Sequence, residues 1–232
     1  MTARQAVSAP VCLHCPARLS DLCAGVPDKD LKLLSAISTH QHLAPGETLV
    51  LDGDAADLVY NVVSGALTMT RHSSDGRRQI LAFLFSGNYV GFSSDSLYRF
   101  NVEAVTESEI CRFERRRIEP LFSAYPEMDR RLRQAAAKTI ESSLDLVFTL
   151  GRRNATERVA AFLLYLRDVQ QAAQAIPIPM TRADIADYLG LTIETVSRTL
   201  TRLKTRRLIR LQSLHAFEIL DEARLREAAG GS

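Results

Sequence analysis

The apolar pattern changes period at Pro126, and that change restricts the chain to two kinds of building block. Before it, from about Gln41 to Phe113, short β-type runs alternate with turn signals. The runs are Thr48–Asp52, Leu58–Val63, Ala66–His72, Gln79–Phe85 and Val102–Phe113. Pro45-Gly46, Asp52-Gly53-Asp54, Ser64-Gly65, Ser73-Ser74-Asp75-Gly76 and Ser86-Gly87-Asn88 punctuate them. Many short strands at this spacing predict a β-sandwich or barrel. A short helix is expected ahead of them, at Pro27–Ser38. After the change, one helix is predicted from Pro126 to Leu150, with Pro126 suited to the first turn and Gly151 to the stop. It would be about 37 Å long at 1.5 Å per residue.

Along that helix Leu132, Ala136, Thr139/Ile140, Ser143/Leu144, Val147 and Leu150 recur every three to four residues. Such a stripe serves either core packing or a dimer seam. A helix this long that joins two domains leaves much of its surface exposed, which favours a seam through Ile140, Ser143, Leu144 and Val147.

A second domain begins near Asn154. Its first helix, Ala155–Gln170, carries Val159, Ala160, Phe162, Leu163 and Leu166 at helical spacing. Arg182–Leu189 then reads as a short helix, Gly190-Leu191 as a turn, and Thr192 as the N-cap of a helix reaching about Arg206. Small Ala186, turn-forming Gly190 and apolar Val196 have the spacing of a helix-turn-helix. At about 100° per residue, Ile193, Val196, Leu200 and Leu203 fall on one face, predicted to be buried. Glu194, Ser197, Arg198 and Thr201 fall on the other. In a recognition helix Arg198 can fork onto guanine, Glu194 can accept from cytosine, and Ser197 can take either role. The alternative for Glu194 and Arg198 is a surface ion pair at i,i+4. Strands Leu208–Leu211 and Ala216–Leu220 around Ser213–His215 read as a wing, with a short helix after Asp221.

Charge supports this reading. Net charge is only +2, yet from Gly151 onward there are 13 basic and 9 acidic residues, against 16 and 18 before it. Arg198, Arg202, Lys204, Arg206, Arg207 and Arg210 form a run with no acid between Thr195 and Phe217. Arg206 and Arg207, at the far end of the helix, are placed for phosphate.

Cys12, Cys15 and Cys23 form a C-x2-C-x7-C set, and Cys111 stands alone in a predicted strand. No run of 18 apolar residues and no secretory h-region is present, so a cytoplasmic location is expected, and thiols or metal ligands rather than disulfides. Four thiolates suffice for one [4Fe–4S] cluster or one zinc ion; alternatively Cys111 is a small buried hydrophobe. His14 lies inside the set and could be a ligand, but four thiolates favour its being a bystander. No phosphate loop, triad or acid–base constellation suggests an enzyme.

The order of β-rich domain, long helix and helix-turn-helix resembles the Crp/Fnr superfamily over nearly the whole chain. NATERVAAFLLYL and MTRADIADYLGLTIETVSR are similar to its Fnr branch. The resemblance implies an α+β chain. Its expected parts are a cysteine-bearing segment 1–25, a cyclic-nucleotide-binding-like β-roll 26–125, a dimerisation helix 126–151 and a winged helix-turn-helix domain 152–232. It further implies that Cys12, Cys15, Cys23 and Cys111 bind an oxygen-labile [4Fe–4S] cluster, in the longer spacing of FnrN and cysteine-bearing FixK-like members. On this resemblance a homodimer would contact a palindrome of TTGAT-like half-sites through Glu194, Ser197 and Arg198, and would act on RNA polymerase. A FixK-type regulator without a cluster is the alternative. Two departures stand out. Gly91 is followed by Phe92 where cyclic-AMP binders carry a carboxylate, and Arg99 lacks a hydroxyl neighbour, so cyclic AMP is not expected. Ser143 occupies a position that is aspartate in the Fnr pattern, removing a charge that keeps the cluster-free form apart.

Overall fold

The computed structural model describes residue 12 and residues 15–18, 22–93, 95–172 and 174–231. The chain divides into two compact units, residues 1–69 with 83–140 and residues 70–82 with 141–232.

In the first part of the chain, α1 (Leu31–Ile37) leads into strands β1 (Ser38–Leu43), β2 (Thr48–Val50), β3 (Leu58–Ser64), β4 (Ala66–His72), β5 (Arg78–Phe85), β6 (Tyr89–Val90), β7 (Asn101–Ala104) and β8 (Ser108–Glu114). They form two four-stranded sheets, ordered β1-β8-β3-β6 and β2-β7-β4-β5. The predicted β-sandwich is present. β8 lies between β1 and β3, antiparallel to both, so that Cys111 faces His40 on one side and Asn61 on the other.

Some expectations need correction. Ser38 opens β1 rather than closing the preceding helix, which begins at Leu31 after a 3-10 turn at Asp28–Asp30. The single run Val102–Phe113 is two strands, because β7 pairs with β2 and β8 with β1 and β3, in different sheets. β6 is two residues long, too short for any periodicity. Helix α2 (Arg115–Ala124) has no counterpart among the expected elements; it carries Pro120 in its interior, where a missing N–H normally argues against helix.

Helix α3 spans Pro126–Arg152 and runs through Gly151 instead of stopping there. A Cβ added at Gly151 would meet open space, so this glycine answers no packing or turn requirement. The stop comes at Asn154, whose side chain accepts from the N–H groups of Thr156 and Glu157 while its own N–H donates to Glu157 Oε2 at 2.8 Å. This capping box starts α4 (Ala155–Gln170).

Beyond α4 come β9 (Ile176–Pro177), α5 (Arg182–Leu189), α6 (Ile193–Thr205), β10 (Ile209–Leu211), β11 (Ala216–Ile219) and α7 (Glu222–Ala228). The wing strands pair as predicted, and β9 adds a third strand, giving the order β10-β11-β9. Val159, Leu163, Leu166, Ile185, Ala186, Val196, Leu203 and Phe217 are buried here. Each large apolar side chain removed from water contributes roughly 1.5–3 kcal/mol.

Candidate functional site

The helix-turn-helix is built by its caps. The Thr181 hydroxyl accepts from Asp184 N–H at 3.1 Å, and Asp184 Oδ2 accepts from Thr181 N–H at 2.9 Å, which fixes the start of α5. Gly190 then turns the chain with φ of +60°, a left-handed conformation that suits glycine. Thr192 starts α6 by accepting from Thr195 N–H at 3.3 Å. Val196, Leu200 and Leu203 are buried, as their shared face predicts, and so is Thr199. Ile193 departs from that prediction: it is 48% exposed. It is the first residue of α6 and lies at the end of the buried face.

Glu194, Ser197, Arg198 and Thr201 are all exposed on one side of α6. Its own backbone N–H and the Thr192 hydroxyl hold the Glu194 carboxyl below its usual range, and the Arg198 charge adds to this. The Thr201 hydroxyl donates to the Ser197 carbonyl at 3.0 Å, which leaves its lone pairs available. Arg206 caps the helix, and Arg207 adopts φ of +57°, redirecting the chain into β10. Both are exposed. The arrangement presents exposed hydrogen-bonding groups at the helix start and two guanidinium groups at its end.

The four cysteines form no disulfide; Cys12 and Cys111 are buried, and Cys15 and Cys23 are half-buried. Cys12 and Cys111 share one apolar cluster with Leu34, Val59, Phe113 and Met128, and Cys15 and Cys23 pack against it. Burial pushes the Cys111 thiol far up, reinforced by the sulfurs of Cys23, Cys12 and Cys15. Burial also raises Cys15, although the N–H groups of Ala17 and Arg18 aimed at it pull the other way. Beside them His40 Nδ1 lies 2.7 Å from Glu109 Oε1. The donor set has the chemistry of an iron–sulfur ligand set: four thiols border one apolar cluster, with two orphaned polar atoms, Arg18 Nε and Asn61 Oδ1, on the elements that carry or flank them. Among the described residues no three His, Cys, Asp or Glu side chains stand close enough to hold a single metal ion. A four-iron cubane spreads its ligands wider than one ion does. His14 lies outside the described residues.

On α3, Ile140, Leu144, Val147 and Phe148 are exposed by 56–68%, and Ser143 is exposed among them. Leu132 instead packs against the cysteine-bearing cluster.

Several organising residues escape sequence reading. Arg18 donates to the Cys23 carbonyl at 2.6 Å and the Val26 carbonyl at 2.7 Å, closing the loop between the second and third cysteines. Gly25 lies so close to α3 that a Cβ there would stand 2.5 Å from Met128 N. Arg158 donates to the carbonyls of Leu150, Arg153 and Leu189, each at 2.8 Å, and so fixes the helix-turn-helix turn. An arginine three residues after Cys15 and a glycine two after Cys23 are visible signals. Arg158 carries none, because its partners are backbone carbonyls, which leave no mark on residue type, and one of them, that of Leu189, is distant in sequence.

Comparison with known proteins agrees with this architecture. A cyclic nucleotide-binding domain matches residues 40–125, and a Crp-like helix-turn-helix domain matches residues 157–228. The chain is 34% identical to the nitrogen fixation regulation protein FixK of Bradyrhizobium diazoefficiens, over 94% of this chain and 93% of that one. It is 32% identical to the transcriptional activator protein FnrL of Cereibacter sphaeroides, over 94% and 92%. The structure of FixK2 from Bradyrhizobium japonicum superimposes with a TM-score of 0.80 at 32% identity, covering 84% of this chain and 99% of that one. A sandwich of two sheets, a long helix and a winged helix-turn-helix thus come together in a DNA-binding transcription regulator, and the chain belongs to the Crp/Fnr family.

Proposed function

We propose that this regulator responds to oxygen through a [4Fe–4S] cluster held by Cys12, Cys15, Cys23 and Cys111, and that it controls genes of anaerobic or microaerobic life. The observation that carries the reading is the convergence of all four cysteines of the chain on one apolar cluster. When bound, the cluster supplies an oxygen-labile inorganic group whose loss frees four thiolates. The chain does the rest. Apolar neighbours limit water at Cys12 and Cys111, Arg18 holds Cys23 in place through its carbonyl, and the Ala17 and Arg18 N–H groups stabilise an anionic Cys15 sulfur.

Two copies pair along α3 through Ile140, Ser143, Leu144 and Val147, and the paired α6 helices read a palindrome of TTGAT-like half-sites through Glu194, Ser197 and Arg198. Arg206 and Arg207 bind phosphate, and the bound dimer contacts RNA polymerase. Cyclic AMP is not the signal: Phe92 packs tilted against Tyr89, ring centroids 4.9 Å apart, where a ribose-binding carboxylate is needed, and Arg99 pairs with Asp95 on the surface. No helix among the described residues is long and apolar enough to cross a membrane.

Protein purified without oxygen should contain about four iron and four sulfide per chain, show a broad visible band that bleaches in air, and bind the palindrome only before bleaching. Cys111→Ser should abolish the band. The likeness to FixK proteins favours one other reading, a regulator whose cysteines hold no iron. Iron-free protein that binds the palindrome equally with and without air would establish that reading instead.

A further inference from the structure

Asn61 of β3 is 2% exposed, and its Oδ1 has no hydrogen-bond partner. A buried amide oxygen left unpaired is costly, so the position calls for a partner that the polypeptide does not provide. Asn61 stands directly opposite Cys111 on the neighbouring strand. Residues opposed in this way leave the sheet on the same face, with Cβ atoms about 4.5–5.5 Å apart. The next pair along, Val59 and Phe113, identifies that face: both belong to the cluster that contains Cys12 and Cys111. The 3-10 turn Pro16–Arg18, between Cys15 and Cys23, packs on β3 as well. Of the other polar groups around Cys111, His40 is engaged with Glu109 at 2.7 Å, and the Ser38 hydroxyl, which also reaches the Cys111 sulfur, lies 3.3 Å from the Ser35 carbonyl.

The two ends of an asparagine amide have the same shape, and their orientation follows from what they meet. Facing an anionic sulfur, the oxygen is repelled and the N–H is attracted. Resting on the cluster reading above, we propose that Asn61 is a positioning residue of the cysteine centre, turning its side-chain N–H onto a cluster-bound sulfur and holding it by an N–H···S hydrogen bond. Such bonds to sulfur set the potential of an iron–sulfur centre, and outer partners of metal ligands commonly govern how tightly the metal is held. The metal-free protein bears the cost of the unpaired carbonyl, and the loaded protein gains the bond.

That opposition of signs gives the test. Asn61→Leu keeps the approximate shape and removes both the orphan and the donor. Metal-free Asn61→Leu should unfold at the same or a higher denaturant concentration than its parent. Loaded without oxygen, it should yield its iron to a ferrous chelator roughly 10–100-fold more readily, with shifted Fe–S stretching bands in the resonance Raman spectrum. Asn61→Asp, which puts a carboxylate in the same place, should lose iron more readily still. Chelator resistance and Fe–S bands equal to the parent's would overturn the proposal. So would a loss of metal-free stability in step with the loss of iron, since that marks Asn61 as a packing residue. Parent protein that takes up neither iron nor sulfide overturns the cluster reading itself, and the role of Asn61 with it.

Discussion

Arg198 and Arg206 carry the same charge on the same helix, yet their positions give them different work. Arg198 is exposed one turn from the start of α6, beside Glu194 and Ser197, where the proposed reading has its guanidinium fork onto guanine O6 and N7. Arg206 is at the C-cap, where the phosphate backbone is the nearer partner. Arg198→Ala should cost about 1–3 kcal/mol at the cognate site and blunt discrimination at one base pair per half-site. Arg206→Ala should weaken all sequences alike and flatten the salt dependence by about one unit for each phosphate no longer neutralised. Binding titrations on matched and singly substituted operators, at several salt concentrations, separate the two. Equal weakening for every sequence in Arg198→Ala would make that arginine a phosphate ligand.

At the scale of elements, the caps and periods written into short stretches of sequence are legible, and the long-range contacts are not. Thr192, Gly190 and the Val196–Leu200–Leu203 face place α6 correctly, because cap, turn and helical period are all local. Ile193 satisfies the same period and is nonetheless exposed, since a wheel does not say where the neighbouring helix ends. The sequence offers four cysteines as a ligand set, but the sheet register that sets Cys111 between His40 and Asn61 is a tertiary fact. Gly25 belongs to the same category. It brings the cysteine-bearing segment against the first turns of α3, the helix that carries the exposed apolar stripe. Gly25→Ala would drive a Cβ to within 2.5 Å of Met128 N and 2.6 Å of Met128 Cα. Backbone atoms cannot rotate away as a side chain can, so the segment must move. Overpacking of this kind costs about 1–3 kcal/mol, and a denaturant titration should show a correspondingly lower midpoint. An unchanged midpoint would mean that the segment shifts freely, and that this close approach does not tie the cysteines to α3.

For the whole molecule the deciding feature is the stripe Ile140, Leu144, Val147 and Phe148, exposed on α3. Four large apolar side chains on one stretch of helix form the kind of patch that marks an interface. On the function proposed above, a second copy of the chain is the occupant, because an inverted-repeat operator needs a reader with two-fold symmetry. Ile140→Glu places a carboxylate in that seam, and in a symmetric dimer it does so twice. A buried carboxylate without a partner is strongly disfavoured, and every 1.4 kcal/mol of destabilisation weakens the dimer about tenfold. In the isolated chain the same substitution puts a charge on an already exposed position, so the fold should be untouched. Sedimentation should therefore give a monomer with parental secondary structure by circular dichroism. Affinity for a single half-site should stay near the parent's, while affinity for the full palindrome falls towards it. An Ile140→Glu protein that sediments as a dimer and binds the palindrome as the parent does would place the symmetric contact elsewhere on the molecule and leave the apolar stripe of α3 to another partner.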